Sequence, residues 1–212
     1  MFGETDAEFY GQRGKSATRD VGKMGAETRA IIAEMNSPGF VSWLEDLTGI
    51  AGLQPDHSLA GGGIHQIRRG GFLKVHTDFN WHAGLQLHRR VNVLLYLNED
   101  WQAEWGGALE LWKPDMSACG ALILPLLNRL VIFSTTDESY HGHPDPLACP
   151  EGVSRNSIAL YYYAAEPAPA RAFGQSQMTN YRPRPGERIT SLRHSAHQLL
   201  LRVPSARRLM GR

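Results

Sequence analysis

The chain has 212 residues, 42% of them hydrophobic and 20% charged, with a formal net charge of +1. That length suits one domain with peripheral additions, or at most two small domains, and is enough to bury a sizeable core. The composition excludes a disordered chain, and the overall balance points to neither nucleic acid nor an acidic partner.

Residues 1–23 are polar and contain glycine, which reads as an irregular start. In the stretch 25–35, Ala26, Ala30, Ile31 and Met35 fall at helical spacing. Ser37 is suited to cap a second helix with Pro38 in its first turn. Phe40, Val41, Leu44 and Leu47 then share one face, and Gly49 ends the helix. After Gly61-Gly62-Gly63 the texture changes to short strand candidates at 64–67 and 72–75, around Gly70-Gly71. The stretch 91–97 is a strong strand, apolar on both faces, and 108–112, 120–124, 129–134 and 157–163 complete the set. Gly, Pro, Asn and Asp separate these strands and no helical pattern lies between them. That spacing favours an antiparallel sandwich, jelly roll or barrel over a βαβ fold. Pro167 and Pro169 close the strand region, and 187–201 reads as a basic amphipathic helix stopped by Pro204. From Arg182 onward there are eight Arg and one Glu, a net of +7 that leaves −6 for the first 181 residues. This tail reads as a solvated helix face. The expected organisation is a helical support region (1–60), a β core (61–166) and a C-terminal extension with the basic helix (167–212).

Two cysteines, Cys119 and Cys149, are too few for a disulfide framework and read as reduced, buried thiols. No apolar run approaches the ~20 residues needed to span a bilayer. The acidic start lacks the apolar region of a secretory signal. The expectation is a cytoplasmic protein with no membrane association.

Three residues carry the first chemical signal. His76 and Asp78 follow the strand at 72–75, and side chains two apart on a strand share a face. An imidazole and a carboxylate so placed make half of a first-row metal site. His141, after the apolar stretch 130–133, can supply the rest. Two His and one carboxylate on one face of a metal leave positions open, unlike a structural zinc site closed by four ligands. Arg155 and Ser157 open the strand 157–163 from one face. A guanidinium with a neighbouring hydroxyl suits a carboxylate. A dicarboxylate could therefore reach from the metal to Arg155. His143, two residues past His141, reads as a structural residue near the site. Phe79, Asn80, Trp81 and His82 could line the mouth or pack as a loop.

At these residues the chain resembles the Fe(II)- and 2-oxoglutarate-dependent oxygenases, in their prolyl 4-hydroxylase-like branch. The matching stretches are Arg69-Gly70-Gly71-Phe72-Leu73-Lys74-Val75-His76-Thr77-Asp78, Val93-Leu94-Leu95-Tyr96-Leu97-Asn98, Trp105-Gly106-Gly107-Ala108-Leu109-Glu110-Leu111, Asn128-Arg129-Leu130-Val131-Ile132-Phe133, and His141-Gly142-His143-Pro144 with Arg155-Asn156-Ser157. The resemblance covers roughly residues 60–165. It implies a mainly β fold, α+β overall, with a double-stranded β-helix (jelly roll) core and flanking helices. It implies Fe(II) held by His76, Asp78 and His141, with 2-oxoglutarate as co-substrate and O2 as oxidant. Arg155 would hold the distal carboxylate of 2-oxoglutarate, with Ser157 as its helper. The family often has a Tyr three residues before the Gly-Gly pair, where this chain has Ile67. Tyr96 or Asn92 could take that role, or it is unfilled.

The activity so implied is hydroxylation of an unactivated C–H. A prolyl residue of a peptide or protein is the first expectation for substrate, and a free amino acid or other small metabolite the second. The rival of another class is a non-catalytic jelly roll that senses 2-oxoglutarate or metal. Neither a nucleic acid nor a membrane partner is expected, and the oligomeric state is left open.

Overall fold

The computed structural model describes residues 11–165 and 178–187. The basic helix expected over 187–201 therefore lies, apart from Glu187, outside the described residues. The two N-terminal helices form where the spacing places them. Helix α1 is Ala26–Met35 and α2 is Pro38–Thr48. Ser37 caps α2 by accepting from the Phe40 N–H at 3.2 Å, and Gly49 closes it in the left-handed conformation at φ 68°.

The rest is two antiparallel sheets sharing one long strand. The strands are β1 (Gln12–Thr18), β2 (Gln54–Pro55), β3 (Gly63–Thr77), β4 (Trp81–His82), β5 (Leu87–Tyr96), β6 (Leu109–Trp112), β7 (Cys119–Ile123), β8 (Leu130–Ser134), β9 (His141–His143), β10 (Ser154–Ala164) and β11 (Asn180–Tyr181). The first half of β3 pairs with β1 and β10, and β10 pairs with β5, which pairs with β8. The second half of β3 pairs with β9 and β11, and β9 continues through β6 to β7. β3 thus passes from one sheet into the other, and the result is a jelly roll, the double-stranded β-helix.

The sheet of β10 and β5 is buried on both faces, as the apolar stretch 91–97 requires. Val91, Val93, Ile158, Leu160 and Tyr162 pack outward against Ile32 and Met35 of α1 and Leu44 of α2. Each such side chain contributes roughly 1.5–3 kcal/mol by its burial. The alternate residues, among them Asn92, Tyr96, Arg155 and Ser157, turn inward between the sheets, where the functional residues gather.

Four expectations are corrected. Residues 12–18 form β1 rather than an irregular start, because β3 offers an edge whose N–H and C=O groups need partners. The candidates at 64–67 and 72–75 are one strand. β9, only His-Gly-His, has no apolar pattern of its own and is a strand because β3 and β6 pair with it. Both cysteines are free thiols, Cys149 buried as expected but Cys119 exposed. Among the described residues, no helix is long and apolar enough to cross a membrane.

Candidate metal centre and its cavity

β3 and β9 bring the first ligands together by register: His76 lies directly across from His141. Their rings stand 4.5 Å apart, and Asp78 follows immediately after β3. One donor atom from each of His76, Asp78 and His141 lies within 4.8 Å of the others. His76 Nε2 is 3.4 Å from Asp78 Oδ1, and His141 Nε2 is 3.3 Å from Asp78 Oδ2.

The donor set fits a divalent metal. His76 Nδ1 lies 2.7 Å from the Lys74 carbonyl and His141 Nδ1 lies 2.9 Å from the Ser139 carbonyl. A carbonyl can only accept, so each Nδ1 carries the proton and each Nε2 presents a lone pair to the centre. Burial, and then the neighbouring His141, lowers the pKa of His76, which keeps that lone pair available. Burial alone would raise Asp78. Arg89, with His141 and His76, outweighs it and holds the carboxyl well below the usual carboxylate range.

Arg89 is a residue the sequence reading missed. Its Nη2 lies 3.1 Å from Asp78 Oδ2, off the line of a hydrogen bond, so the contact is ionic. Its Nε donates to Asn92 Oδ1 at 2.7 Å, and Asn92 Nδ2 donates to Asp78 Oδ2 at 2.8 Å. The guanidinium lies over the Tyr161 ring at 3.2 Å and beside Phe79 at 4.8 Å. Two stacked rings and one carboxylate compensate the removal of this charge from water. Arg89 reaches the interior because β5 bulges at Arg90: Tyr162 pairs with Val91, but Tyr163 pairs with Arg89.

A cavity of about 180 Å³ runs from the triad to Arg155 and Ser157. Arg155 is 5% exposed; its Nε donates to the Gly107 carbonyl at 2.8 Å and its Nη2 to the Tyr96 hydroxyl at 3.0 Å. Gly107 has φ 74°, and a Cβ there would meet the Leu147 side chain at 2.6 Å and Arg155 Cδ at 3.1 Å. Only glycine lets that carbonyl reach Arg155 without strain.

Of the two candidates for the role vacant at Ile67, Asn92 lines the cavity and hydrogen-bonds Asp78 and Arg89. Tyr96 is fully buried behind Arg155, which it orients, and is not among the residues lining the cavity. His143 is buried and lines the cavity. Of the loop after Asp78, Phe79 lines the cavity, Trp81 packs on His88, and Asn80 hydrogen-bonds Asp137. From the C-terminal side, Thr179 and Tyr181 complete the wall, with Tyr181 packed 5.4 Å from His76.

A jelly roll with two His and one Asp on its inner face, opening on a buried arginine, defines a metal-dependent oxygenase type of site. Residues 62–163 match the sequence model of the 2OG-Fe(II) oxygenase superfamily. Fe(II), 2-oxoglutarate and O2 are the cofactor and co-substrates of the superfamily. No curated protein sequence matches the chain significantly. Among solved structures, it is similar to a prolyl 4-hydroxylase from Phytophthora capsici, with 22% identity and a TM-score of 0.47 over 66% of this chain and 46% of that one. It is similar to a Trichoplax adhaerens prolyl hydroxylase in complex with a hypoxia inducible factor oxygen degradation domain peptide fragment, with 20% identity and a TM-score of 0.44 over 71% of this chain and 63% of that one. A Pseudomonas putida prolyl-4-hydroxylase is 20% identical with a TM-score of 0.36, over 74% of this chain and 93% of that one. The chain thus spans about half the length of the first of these and less than two thirds of the second.

Proposed function

We propose that the protein is an Fe(II)- and 2-oxoglutarate-dependent dioxygenase that hydroxylates an unactivated C–H. The observation that carries this reading is the single cavity joining a three-ligand metal site to a buried arginine. His76, Asp78 and His141 would hold the iron through two Nε2 atoms and one carboxylate. Bound there, Fe(II) supplies the redox chemistry that couples O2 and the oxidative decarboxylation of 2-oxoglutarate, to succinate and CO2, to hydroxylation. The chain's own residues do the positioning. Lys74 and Ser139 carbonyls fix the two imidazole tautomers. Arg89 and Asn92 hold the Asp78 carboxylate ionised and oriented. Arg155, aimed by Gly107 and Tyr96, pairs with the distal carboxylate of 2-oxoglutarate, and Ser157 adds a hydroxyl beside it. Burial of these groups excludes bulk water from the reacting end.

The proposed substrate is a prolyl residue of a peptide or protein, on the strength of the branch that residues 69–157 resemble. A free amino acid as substrate is the outcome that would replace it, read by supplying both to the enzyme and following succinate release. For the reaction class, the deciding measurement is succinate formed against 2-oxoglutarate concentration. Arg155→Ala leaves a desolvated carboxylate unpaired, a cost on the order of 3–5 kcal/mol. That is roughly two to three decades in apparent 2-oxoglutarate affinity. Iron affinity, measured separately, should stay near normal. A wild type that forms no succinate, even uncoupled from substrate, would favour a sensor.

A further inference from the structure

The cavity wall contains a cation that neither the triad nor Arg155 accounts for. Lys15 of β1 lines the cavity together with Arg155, His65 and His143. Its placement follows from register. Lys15 pairs with Ile67, and Ile67 pairs with Arg155, so Lys15, Ile67 and Arg155 form one row across β1, β3 and β10. Directly paired residues on neighbouring strands point to the same face. Ile67 and Arg155 point inward, and Lys15 therefore does too. The next inward row is Ala17, His65, Ser157 and Tyr96.

β1 is shaped for this. Gln12 and Lys15 are three residues apart, yet both line the cavity. The register slips between Arg13 and Lys15 at Gly14, whose φ is 63°. The extra residue of that bulge lets positions 12 and 15 share a face. A left-handed residue there costs least as glycine.

A second observation points to a ligand at this end. His143 is 3% exposed, lines the cavity, and among the described residues neither ring nitrogen has a hydrogen-bond partner. A buried imidazole without partners is costly, and in native structures such groups wait on a water, an ion or a ligand. Its ring N–H is a donor from which an anion in the cavity can accept. Two donors of Arg155 are meanwhile committed to Gly107 and Tyr96. A carboxylate offers about four lone-pair sites, so it can accept from Arg155, Ser157 and further donors at once.

We propose that Lys15, delivered by β1 across Ile67, is a second cationic anchor for the distal carboxylate of the 2-oxo acid, on the same sheet face as Arg155. The proposal rests on the co-substrate reading above. It assigns the place vacated at Ile67 to a residue from another strand, with the His143 ring N–H as a further donor lining the same cavity.

The test uses the full chain loaded with Mn(II) under anaerobic conditions, and reads binding by calorimetry. Two ligands are compared: 2-oxoglutarate and 2-oxopentanoate, which keeps the chelating end but lacks the distal carboxylate. Lys15→Met should weaken 2-oxoglutarate roughly 10- to 100-fold, the range of a charge-assisted hydrogen bond, and leave 2-oxopentanoate unchanged. Lys15→Arg should restore most of the loss. Equal weakening of both ligands would make Lys15 a fold residue and overturn the proposal. If Lys15→Met binds 2-oxoglutarate as the wild type does while Arg155→Ala does not, Lys15 is no anchor but the co-substrate reading stands. If the wild type itself binds no 2-oxoglutarate, both fall.

Discussion

The two ends of the cavity are built on opposite plans. At the metal end the polar groups are tied to one another: His76 and His141 to backbone carbonyls, Asp78 to Asn92 and Arg89, Arg89 to Asn92 and two aromatic rings. At the inner end, Lys15, Arg155 and His143 line the cavity, and among the described residues neither ring nitrogen of His143 has a hydrogen-bond partner. The first plan is complete before any ligand arrives, so its geometry is held by the fold. The second leaves the buried His143 ring N–H turned to the cavity, where a bound anion would satisfy it. An end that must place a metal to within a fraction of an ångström needs the first plan. An end that must capture and release a co-substrate needs the second.

The comparison breaks first at the triad. Replacing His76, Asp78 or His141 singly with Ala should abolish turnover and most Fe(II) or Mn(II) binding, because open-site geometry depends on all three. Metal-dependent turnover retained by His141→Ala would end the assignment.

A subtler break is Arg89→Met. Removing one partner of a buried ion pair costs about 3–5 kcal/mol, because the Asp78 charge loses its cationic partner. Urea unfolding of the metal-free protein should show that loss. Added Mn(II) should return much of it, since the metal supplies a replacement charge for Asp78. A loss that Mn(II) does not touch would mean that Arg89 acts by packing on Tyr161 and Phe79 instead.

Acid sharpens the comparison at both ends. Burial is the leading cause lowering the pKa of His65, His76 and His143, with nearby positive charge adding to it. In the unfolded chain each takes up a proton near pH 6.5, while the folded protein resists it. The unfolded state then binds more protons, so stability falls as pH drops from about 6.5 toward the folded-state values. The slope is at most about 1.4 kcal/mol per pH unit for each histidine. Unfolding curves of the metal-free protein between pH 7.5 and 5.5 should show this, and His143→Phe should remove one histidine's share. An unchanged slope in that variant would place the proton uptake elsewhere.

The smallest effect belongs to the rim. Arg184 hydrogen-bonds Asp145 and Glu110, and Glu187 pairs with Lys74, which pins the segment carrying Thr179 and Tyr181 over the cavity. Asp145 is largely exposed, so Arg184→Ala should cost no more than about 1 kcal/mol, and less at high salt. A larger loss would show that the rim belongs to the rigid metal end.

The sequence by itself determined the parts whose signal is local. Ser37, Pro38 and Gly49 announce α2 because caps and φ preferences act within a few residues. His76, Asp78, His141, Arg155 and Ser157 were legible because strand periodicity and the surrounding motifs place them. The tertiary structure alone decided Arg89, Asn92, Tyr96 and Lys15. Strict alternation from Val91 would send Arg89 outward to the helices, and only the bulge at Arg90, made against β10, turns it in. Asn92 and Tyr96 both point inward, but which partner each meets depends on β3 and β10. Lys15 sits in a polar stretch with no apolar rhythm, broken by Gly14. β1 forms because β3 presents an unpaired edge, and that edge comes from residues some fifty positions later in the chain. Backbone pairing across such distances leaves no mark on the pairing segment's own composition, which is why the inner end of the cavity could not be read from it.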